Sequence, residues 1–513
     1  MNLGHWPDKR ALLHPRRPFL SCQGRDYDNQ AFAALIGHAA QGLLDAGLTR
    51  GDRVALLMGN SPAFLQLFFA CARIGAVLVP LNPGLAAPEL AQVIRHCRPR
   101  LVIHSPAFAA ALEEIERHLP LPCPRLQHGD HAIPDAFAAS QEELSPPPWP
   151  VEENDPLLLI YTSGSSGRQK GALLTHRNLL FGAVHNLLSY HFSPATRSLV
   201  VAPLFHIGAL GASVLPVLYA GGSLVLRSFD NPSEILHLIA REGITFLFAV
   251  PAMFKMLTKA PAWAEADFSR VAFFMSGGAP LPEELIRTYQ EEKGVAFAQG
   301  YGMTETQRLT ALDLHDTRRK AGSIGKEVFH TTLRLVDERG EEVAPGAVGE
   351  VVACGPTVFS GYWDDPLATA QALRDGWFHT GDLGRRDEEG FLYLVGRTSD
   401  LIISSGENIS AREVELALEA LPEVAEAAVV GIPDAVRGEA VVALVALRPE
   451  AMLSAEDILA RLKTRLAPYK LPRRVRFAAM LPRTGSGKVA KEDIKKIFAG
   501  HIAAAEENSD HGS

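Results

Sequence analysis

The stretch Tyr161-Thr-Ser-Gly-Ser-Ser-Gly-Arg-Gln-Lys-Gly171 decides how the rest of the chain is interpreted. An apolar run at residues 157–160 precedes it and predicts a buried strand. Gly164 and Gly167 allow the backbone to turn tightly and to approach a ligand closely. Hydroxyl groups, exposed backbone N–H groups and the ammonium group of Lys170 supply donors for anionic oxygen atoms. The stretch therefore predicts a loop that binds a polyphosphate.

A flexible Gly/Ser linker is the alternative interpretation of this stretch. Its position between two apolar runs, at residues 157–160 and 172–174, disfavours a linker. The stretch also differs from the P-loop of nucleoside triphosphatases, in which Ser or Thr follows a Gly-Lys pair. Here Gly171 follows Lys170. The sequence thus predicts a phosphate-binding loop of a different type.

The composition is that of an ordinary globular chain larger than one domain. The chain has 513 residues, of which 47% are hydrophobic, and a mean hydropathy of +0.05, so it can bury a large core. The formal net charge of −8 argues against general binding of nucleic acid. We therefore expect no nucleic-acid partner.

Cysteine usage and apolar stretches bear on the location of the chain. Five cysteines without CxxC or CxxH spacing indicate reduced thiols, a cytoplasmic location and no thiolate metal site; they are Cys22, Cys71, Cys97, Cys123 and Cys354. Residues 1–10 lack the apolar core of a signal peptide. Residues 207–226 carry no charge and are long enough for a membrane span. Their four glycines and Pro216 instead favour a buried helix, a turn and a strand.

The order of apolar segments predicts an α/β fold. Strand and helix patterns alternate over residues 19–104 and again over residues 172–330, which indicates a large N-terminal domain of parallel α/β sheets. Residues 105–156 lose this alternation. From residue 331 short strands predict a small antiparallel sheet or barrel, and the chain after residue 396 predicts a separate small α+β domain.

Five further motifs follow the loop, and each has a structural interpretation as well as a chemical one. Tyr301 lies in a Gly-rich turn where it can stack on a base, and Glu305 can hold Mg²⁺. Asp382 follows Thr-Gly and can accept both hydroxyls of a ribose. A core histidine or a solvated turn is the alternative for the others. The motifs are Ala202-Pro-Leu-Phe-His206, Ser276-Gly-Gly-Ala-Pro-Leu281, Gln299-Gly-Tyr-Gly-Met-Thr-Glu305, Trp377-Phe-His-Thr-Gly-Asp382 and Leu481-Pro-Arg-Thr-Gly-Ser-Gly-Lys488.

Together and in this order, these motifs resemble the ANL superfamily of adenylate-forming enzymes, which includes acyl-CoA synthetases, adenylation domains of nonribosomal synthetases and firefly-type luciferases. The resemblance runs from about residue 20 to residue 497. It implies that ATP and Mg²⁺ activate a carboxylic acid to an acyl-adenylate, and that the acyl group then passes to coenzyme A. It also implies an AMP-binding domain at residues 1–396 and a mobile domain at residues 397–513, with a hinge near Ser399.

The resemblance further implies roles for individual residues. Catalytic roles fall to Lys488, His206, Thr162 and Glu305, and the metal ligands are Glu305 and Thr162. Lys488 would neutralise charge at the α-phosphate, and His206 would orient the carboxylate. The nucleotide would be bound by Thr162, Ser163, Gly164, Ser165, Ser166, Gly167, Lys170, Gly277, Gly278, Ala279, Pro280, Gln299, Gly300, Tyr301, Gly302, Met303, Thr304, Asp382, Arg397 and Lys488.

Three departures from the usual pattern of the superfamily stand out. Ser399 occupies the hinge position, where Asp or Lys is usual. The loop has Gln169 where Pro is usual, which loosens the turn but keeps the glycines and Lys170. Arg308 occurs where many relatives have Gly-Pro, which places it near the acyl pocket. It either binds a second carboxylate or polar tail of the substrate or points to solvent, and we favour solvent.

The leading hypothesis is a free-standing acyl-CoA synthetase for a fatty or aromatic acid. The segments expected around the acyl pocket, at residues 207–215, 246–250 and 273–275, are apolar. Acyl transfer to a carrier protein in trans is the alternative, although residues 503–513 contain no carrier attachment motif. A luciferase-type oxygenase and a non-catalytic nucleotide-binding protein are further alternatives. A basic cluster at residues 465–476 either meets the phosphates of coenzyme A or is a solvated face. The sequence leaves open whether the chain forms a homodimer.

Overall fold

The computed structural model describes residues 2–121, 123–130, 147–163, 169–404, 407–434, 437–463, 465–484 and 489–499. The α-helices in these ranges are α1 (Trp6–Leu13), α2 (Asn29–Asp45), α3 (Pro62–Ile74), α4 (Ala87–Cys97), α5 (Ala109–His118), α6 (His176–Tyr190), α7 (Leu215–Ala220), α8 (Pro232–Arg241), α9 (Pro251–Thr258), α10 (Glu283–Lys293), α11 (Asp316–Arg319), α12 (Pro366–Ala372), α13 (Ala411–Glu419), α14 (Ala455–Leu462) and α15 (Lys491–Ala499).

The strands in the same ranges are β1 (Pro18–Cys22), β2 (Arg25–Asp28), β3 (Arg53–Leu57), β4 (Val77–Pro80), β5 (Leu101–His104), β6 (Arg125–Gln127), β7 (Pro156–Ser163), β8 (Gln169–Thr175), β9 (Arg197–Val200), β10 (Ser223–Leu226), β11 (Phe246–Ala249), β12 (Phe273–Ser276), β13 (Phe297–Gln299), β14 (Gly302–Met303), β15 (Gln307–Arg308), β16 (Thr310–Ala311), β17 (Lys326–Glu327), β18 (Thr332–Val336), β19 (Gly349–Cys354), β20 (Gly361–Tyr362), β21 (Leu373–Arg374), β22 (Trp377–Arg386), β23 (Leu392–Arg397), β24 (Leu401–Ser404), β25 (Glu407–Ser410), β26 (Val424–Asp434), β27 (Gly438–Leu447) and β28 (Arg474–Phe477).

Contacts divide the chain into two compact units. The first consists of Met1–Leu333, Val352–His379 and Glu389–Tyr393, and the second of Arg334–Val351, Thr380–Glu388 and Leu394–Ser513. The boundary between residues 396 and 397 that the sequence predicts stays a prediction.

Two seven-stranded sheets organise the first unit. One has the strand order β13-β12-β11-β9-β10-β1-β2 and the other β20-β8-β7-β4-β3-β5-β6. Neighbouring strands run parallel except at β1–β2, β7–β8 and β8–β20. The predicted α/β class with large parallel sheets is thus confirmed. A five-stranded sheet, β18-β19-β22-β21 with β23 paired to β22, occurs in the region where short strands are predicted.

Helix α3 shows how local sequence sets an element of the core. Ser61 caps its first turn, because its hydroxyl accepts a hydrogen bond from the backbone N–H of Phe64 at 3.2 Å. Pro62 fits the first helical position, where no backbone donor is needed. Gly75 ends the helix in the left-handed conformation at φ 77°. Every residue of α3 is buried, so this helix lies inside the first unit.

Two predictions about apolar and irregular regions have different outcomes. Residues 207–226 form a π-helical segment at Ala209–Val214, helix α7, a turn at Gly221 and strand β10, as predicted. Among the described helices none is long and apolar enough to cross a membrane. The predicted loss of α/β alternation after residue 104 is wrong, because α5 and the parallel strand β6 continue it. Strand β6 has only three residues, two of them polar, and therefore gives no apolar pattern.

The second unit has its own sheet and core. Strands β25-β24-β27-β26 form one sheet, and β28 pairs with β27 in parallel. Buried aliphatic side chains of α13, α14 and α15 cover this sheet, among them Val414, Ile458 and Ile494. The predicted small α+β unit is present. All five cysteines of the chain lie in the described residues and are free.

Candidate active site

Strands β7 and β8 form the two arms of the predicted phosphate-binding loop. Thr162 lies opposite Lys170, and Ser163 lies opposite Gln169 in the antiparallel register. The Thr162 hydroxyl donates to the Lys170 carbonyl oxygen at 3.5 Å. The hairpin explains why two apolar runs enclose the loop, since both arms belong to the sheet. Four predicted ligands, Gly164, Ser165, Ser166 and Gly167, lie outside the described residues.

Tyr362 links Lys170 to Glu305. Its hydroxyl donates to Glu305 Oε1 at 3.0 Å, and Lys170 Nζ lies 5.1 Å from the centre of its ring. Glu305 is 5% exposed. Burial, with the Glu305 charge as a further cause, raises the pKa of the Tyr362 hydroxyl, so this group stays protonated and donates to the carboxylate. A cation, a phenol and a carboxylate that are far apart in the sequence thus meet in the first unit.

The motif Gln299–Glu305 folds as a strand end followed by a tight hairpin. Gly302 and Met303 of β14 pair with Arg308 and Gln307 of β15. The backbone N–H of Tyr301 donates to the Thr310 hydroxyl at 3.0 Å. A Cβ at Gly302 would lie 1.5 Å from a backbone carbonyl oxygen on β15, so glycine is required there. Thr304 lies in the turn of this hairpin and is half-buried.

We expect Gly302→Ala to disrupt this hairpin. The added methyl group meets backbone that cannot rotate away, and we expect the melting temperature to fall by about 5 °C or more. Thermal denaturation measures this change. Gly59→Ala is the matched control, because a Cβ at Gly59 meets nothing within 4 Å. Equal melting temperatures for the two variants would contradict the hairpin geometry.

The motif Ser276–Leu281 follows β12 and lies against an aromatic ring. A Cβ at Gly277 would lie 3.2 Å from the Phe248 ring, and a Cβ at Gly208 would lie 3.1 Å from the same ring. Gly278 adopts φ 80°, and Ala279 and Pro280 are exposed. The tip of the Phe248 ring is therefore flanked by two glycines that carry no side chain.

His206 follows β9 and is exposed. Its ring centre lies 4.5 Å from that of Phe205, and its backbone N–H donates to the Pro203 carbonyl oxygen at 3.1 Å. The interpretation as a buried core histidine is thus wrong. Parallel sheets of this type bind ligands beyond the carboxyl ends of their strands, and His206 lies six residues after the end of β9.

The expectation that Arg308 points to solvent is wrong. Its Nη1 donates to the Tyr190 hydroxyl at 3.0 Å, and its Nη2 lies 2.9 Å from Met275 Sδ. The guanidinium carbon lies 5.0 Å from the centre of the Tyr190 ring. The sequence does not indicate this contact, because Tyr190 lies 118 residues earlier.

Asp382 and Arg397 lie in the second unit and form an ion pair. Arg397 Nε lies 2.7 Å from Asp382 Oδ1, and Asp382 is 4% exposed. The backbone N–H of Asp382 donates to the Thr380 hydroxyl, which in turn donates to the Val351 carbonyl oxygen. The structure thus brings these two predicted nucleotide ligands together and fixes the Asp382 carboxylate.

The remaining predicted residues of the second unit have different outcomes. Lys488 lies outside the described residues, and Ser399 belongs to a 3₁₀ turn at Thr398–Asp400. In the basic cluster at residues 465–476, Lys470 pairs with Glu413 at 2.7 Å and Arg476 donates to a backbone carbonyl oxygen. These two basic residues therefore have partners within their own unit.

The residues present fit a magnesium ion bound mainly by a nucleotide. Glu305 offers a buried carboxylate and Thr162 a hydroxyl, and Mg²⁺ prefers oxygen ligands. The part of the chain that the structure describes contains no group of three or more His, Cys, Asp or Glu side chains that could hold a metal. Most ligands would therefore be water and phosphate oxygen atoms.

Two family profiles and several characterised relatives match this chain. The profile of the family described as "AMP-binding enzyme" matches residues 7–363, and that of "AMP-binding enzyme C-terminal domain" matches residues 413–488. The chain is 41% identical to a feruloyl-CoA synthase of Amycolatopsis sp, with 97% of this chain and 99% of the relative covered. It is 38% identical to an indoleacetate–CoA ligase of Aromatoleum aromaticum, with 97% and 98% covered.

A solved structure extends the comparison to the fold. The structure of a Mycobacterium tuberculosis fatty acyl CoA synthetase is 32% identical and has a TM-score of 0.81, with 98% of this chain and 99% of that chain covered. The predicted resemblance to adenylate-forming enzymes is confirmed. The chain belongs to the AMP-binding enzyme family.

Proposed function

We propose that this chain activates an aromatic carboxylic acid and joins it to coenzyme A. The general activity follows from the family and from relatives that are CoA ligases. It is the ATP-dependent activation of a carboxylic acid, followed by formation of a CoA thioester. Our proposal is the aromatic class of the acid, together with the residue roles below.

The environment of Phe248 is the observation that carries the aromatic class. Its ring is 7% exposed and lies between the backbone at Gly208 and Gly277. Met275 lies opposite Phe248 on the neighbouring strand. Because the two glycines carry no side chain, a flat ring of the substrate can approach Phe248 closely. Paired aromatic rings stabilise a complex by more than the area that they bury. Two relatives named for aromatic acids, at 41% and 38% identity, support this choice.

The residues of the first unit would position ATP for the first step. Lys170 and the hairpin arms bind the β- and γ-phosphates, while Tyr301 and Gly302 border the base. Glu305, oriented by the Tyr362 hydroxyl, holds Mg²⁺ together with Thr162. Bound Mg²⁺ supplies positive charge that stabilises the departing pyrophosphate.

In the first step an oxygen of the substrate carboxylate forms a bond to the α-phosphorus, and the bond to the pyrophosphate oxygen breaks. His206 orients the carboxylate. Lys488 neutralises the charge that develops at the α-phosphate, and such stabilisation is commonly the largest contribution to catalysis. Asp382, fixed by Arg397, accepts the ribose hydroxyls.

In the second step the sulfur of coenzyme A forms a bond to the acyl carbon, and the bond to AMP breaks. Lys488 is not needed for this step. We therefore propose that residues 397–513 turn about Ser399 between the two steps, as a hinge transition between two working states.

Pyrophosphate release across a panel of acids tests the proposal. The panel contains aromatic acids and straight-chain fatty acids, each assayed with and without coenzyme A. We expect the highest kcat/KM for an aromatic acid and formation of its CoA thioester. A higher kcat/KM for fatty acids would contradict the aromatic class. Pyrophosphate release without a CoA thioester would favour the alternative acceptor, a carrier protein.

A further inference from the structure

Arg308 lies on β15 with an unusual set of partners. Nη1 donates to the Tyr190 hydroxyl at 3.0 Å and to the Thr310 carbonyl oxygen at 3.4 Å. Nη2 faces the thioether sulfur of Met275, which is a weak acceptor. Nε is buried and has no hydrogen-bond partner in the described part of the chain. Of the five N–H donors of this guanidinium, two therefore reach an oxygen atom.

Arg308 also forms no ion pair with the described part of the chain. Within the described ranges no Asp or Glu oxygen lies within 4.0 Å of its guanidinium nitrogens. Its near neighbours are the Tyr190 ring, the Met275 sulfur and the buried His185, whose pKa is lowered to about 4 by burial and by His330. An oxygen acceptor supplied by a ligand would therefore stabilise this partly buried cation.

Arg308 borders both parts of the proposed site. Met275, which its Nη2 contacts, lies opposite Phe248 on the adjacent strand. On the other side, Arg308 Nη1 lies 2.1 Å from the position of a Cβ at Gly300, so the guanidinium packs directly on the backbone of the nucleotide motif. The side chain is half-buried, so part of it is accessible.

Tyr190 fixes this position. It is fully buried on α6, and its hydroxyl donates to the Gln299 carbonyl oxygen at 2.7 Å while it accepts from Arg308. Burial raises the pKa of the Tyr190 hydroxyl, so the group remains a donor to Gln299. The hydrogen-bond chain Arg308–Tyr190–Gln299 therefore holds the guanidinium group beside the nucleotide motif.

We infer that Arg308 is a specificity-determining residue that binds an acceptor oxygen on the acid other than those of the reacting carboxylate. This inference rests on the proposed function, because it assigns a preference within the same pocket. A ring hydroxyl or methoxy group and a second carboxylate share this acceptor chemistry. An acid without such an oxygen leaves the guanidinium donors unpaired when water is displaced, which costs binding free energy.

Matched pairs of acids test the inference in the wild-type enzyme. One pair is cinnamic acid and 4-hydroxycinnamic acid, and a second compares 3-phenylpropanoic acid with its 4-carboxy derivative. We expect kcat/KM to be about 10- to 100-fold higher for the oxygenated member of at least one pair. The pair that shows the preference identifies the neutral or the anionic source of the oxygen. Equal kcat/KM within both pairs overturns the inference.

The variant Arg308→Gln tests whether Arg308 causes the preference for the oxygenated acid. We expect it to lower kcat/KM for the oxygenated acid far more than kcat/KM for the unsubstituted acid, so that the ratio between the members of the preferred pair falls to about one. Arg308→Lys should restore part of the ratio, because it keeps the charge but not the planar fork. Arg318→Gln, at an arginine with a 75% exposed side chain, is the matched control.

The remaining outcomes are decisive as well. An equal loss for both acids of a pair, or a raised KM for ATP, assigns Arg308 a structural role and overturns the inference. If Arg308→Gln does not fold, the wild-type pairs together with Arg308→Lys decide, because a preference that is unchanged in Arg308→Lys overturns the inference. A wild-type enzyme that releases no pyrophosphate with any acid contradicts the proposed function instead, so the two failures are distinguishable.

Discussion

Replacing Lys488 with alanine is expected to abolish acyl-adenylate formation while thioester formation from supplied acyl-adenylate and coenzyme A stays largely intact. The reason is that negative charge builds up at the α-phosphate only in the first step. Loss of one preorganised electrostatic contact of this kind lowers kcat by about 100- to 1000-fold. Exchange of labelled pyrophosphate into ATP measures the first step, and thioester formation from synthetic acyl-adenylate measures the second.

Lys496→Ala is the matched control for this experiment. Lys496 lies on α15, has a side chain that is 77% exposed and pairs with Asp493 at 2.8 Å. Surface pairs of this type contribute little, so both steps should proceed at wild-type rates. A loss of both steps to the same extent in Lys488→Ala would refute the assignment of this lysine to the first step alone.

Glu305→Gln is expected to lower the rate of pyrophosphate release by about 100-fold or more at a fixed Mg²⁺ concentration. The substitution keeps the shape of the side chain and an oxygen that can accept from the Tyr362 hydroxyl, but it removes the negative charge. Because a neutral amide binds Mg²⁺ more weakly than a carboxylate, the half-saturating Mg²⁺ concentration should rise. A titration of the rate with Mg²⁺ measures both quantities.

Two controls separate the charge of Glu305 from its position. Glu291→Gln, at a glutamate with a 56% exposed side chain, should change neither quantity. Tyr362→Phe removes the hydrogen bond that orients Glu305 but keeps the carboxylate, so a smaller rise in the half-saturating Mg²⁺ concentration is expected. If Glu305→Gln leaves the Mg²⁺ dependence unchanged, Glu305 is not the metal ligand.

Much of the fold could be predicted because its determinants are local. The Ser61-Pro62 cap and Gly75 fix the two ends of α3 within their own turns. The apolar runs on either side of the loop at residues 161–171 predict the buried arms of a hairpin. Strand β6 escaped prediction because three residues with one apolar side chain have no recognisable period.

The candidate site could be predicted only in part, for a physical reason. The motif residues Asp382 and Arg397 were expected together, and the structure places them 2.7 Å apart. Tyr362 carries no motif of its own, and 57 residues separate it from Glu305, which it contacts. Side-chain contacts of this kind depend on how the sheets bring distant segments together.

Residue types and their spacing predict the functional groups of the site: a Gly/Ser loop with Lys170, a carboxylate at Glu305 and a second lysine at Lys488. These groups can be predicted because backbone freedom and charge are local properties. The contact of Tyr362 with Glu305 and that of Arg308 with Tyr190 depend instead on the fold, which brings distant segments together. A long charged side chain can extend into water or lie along a neighbouring surface, and packing against distant residues chooses between the two.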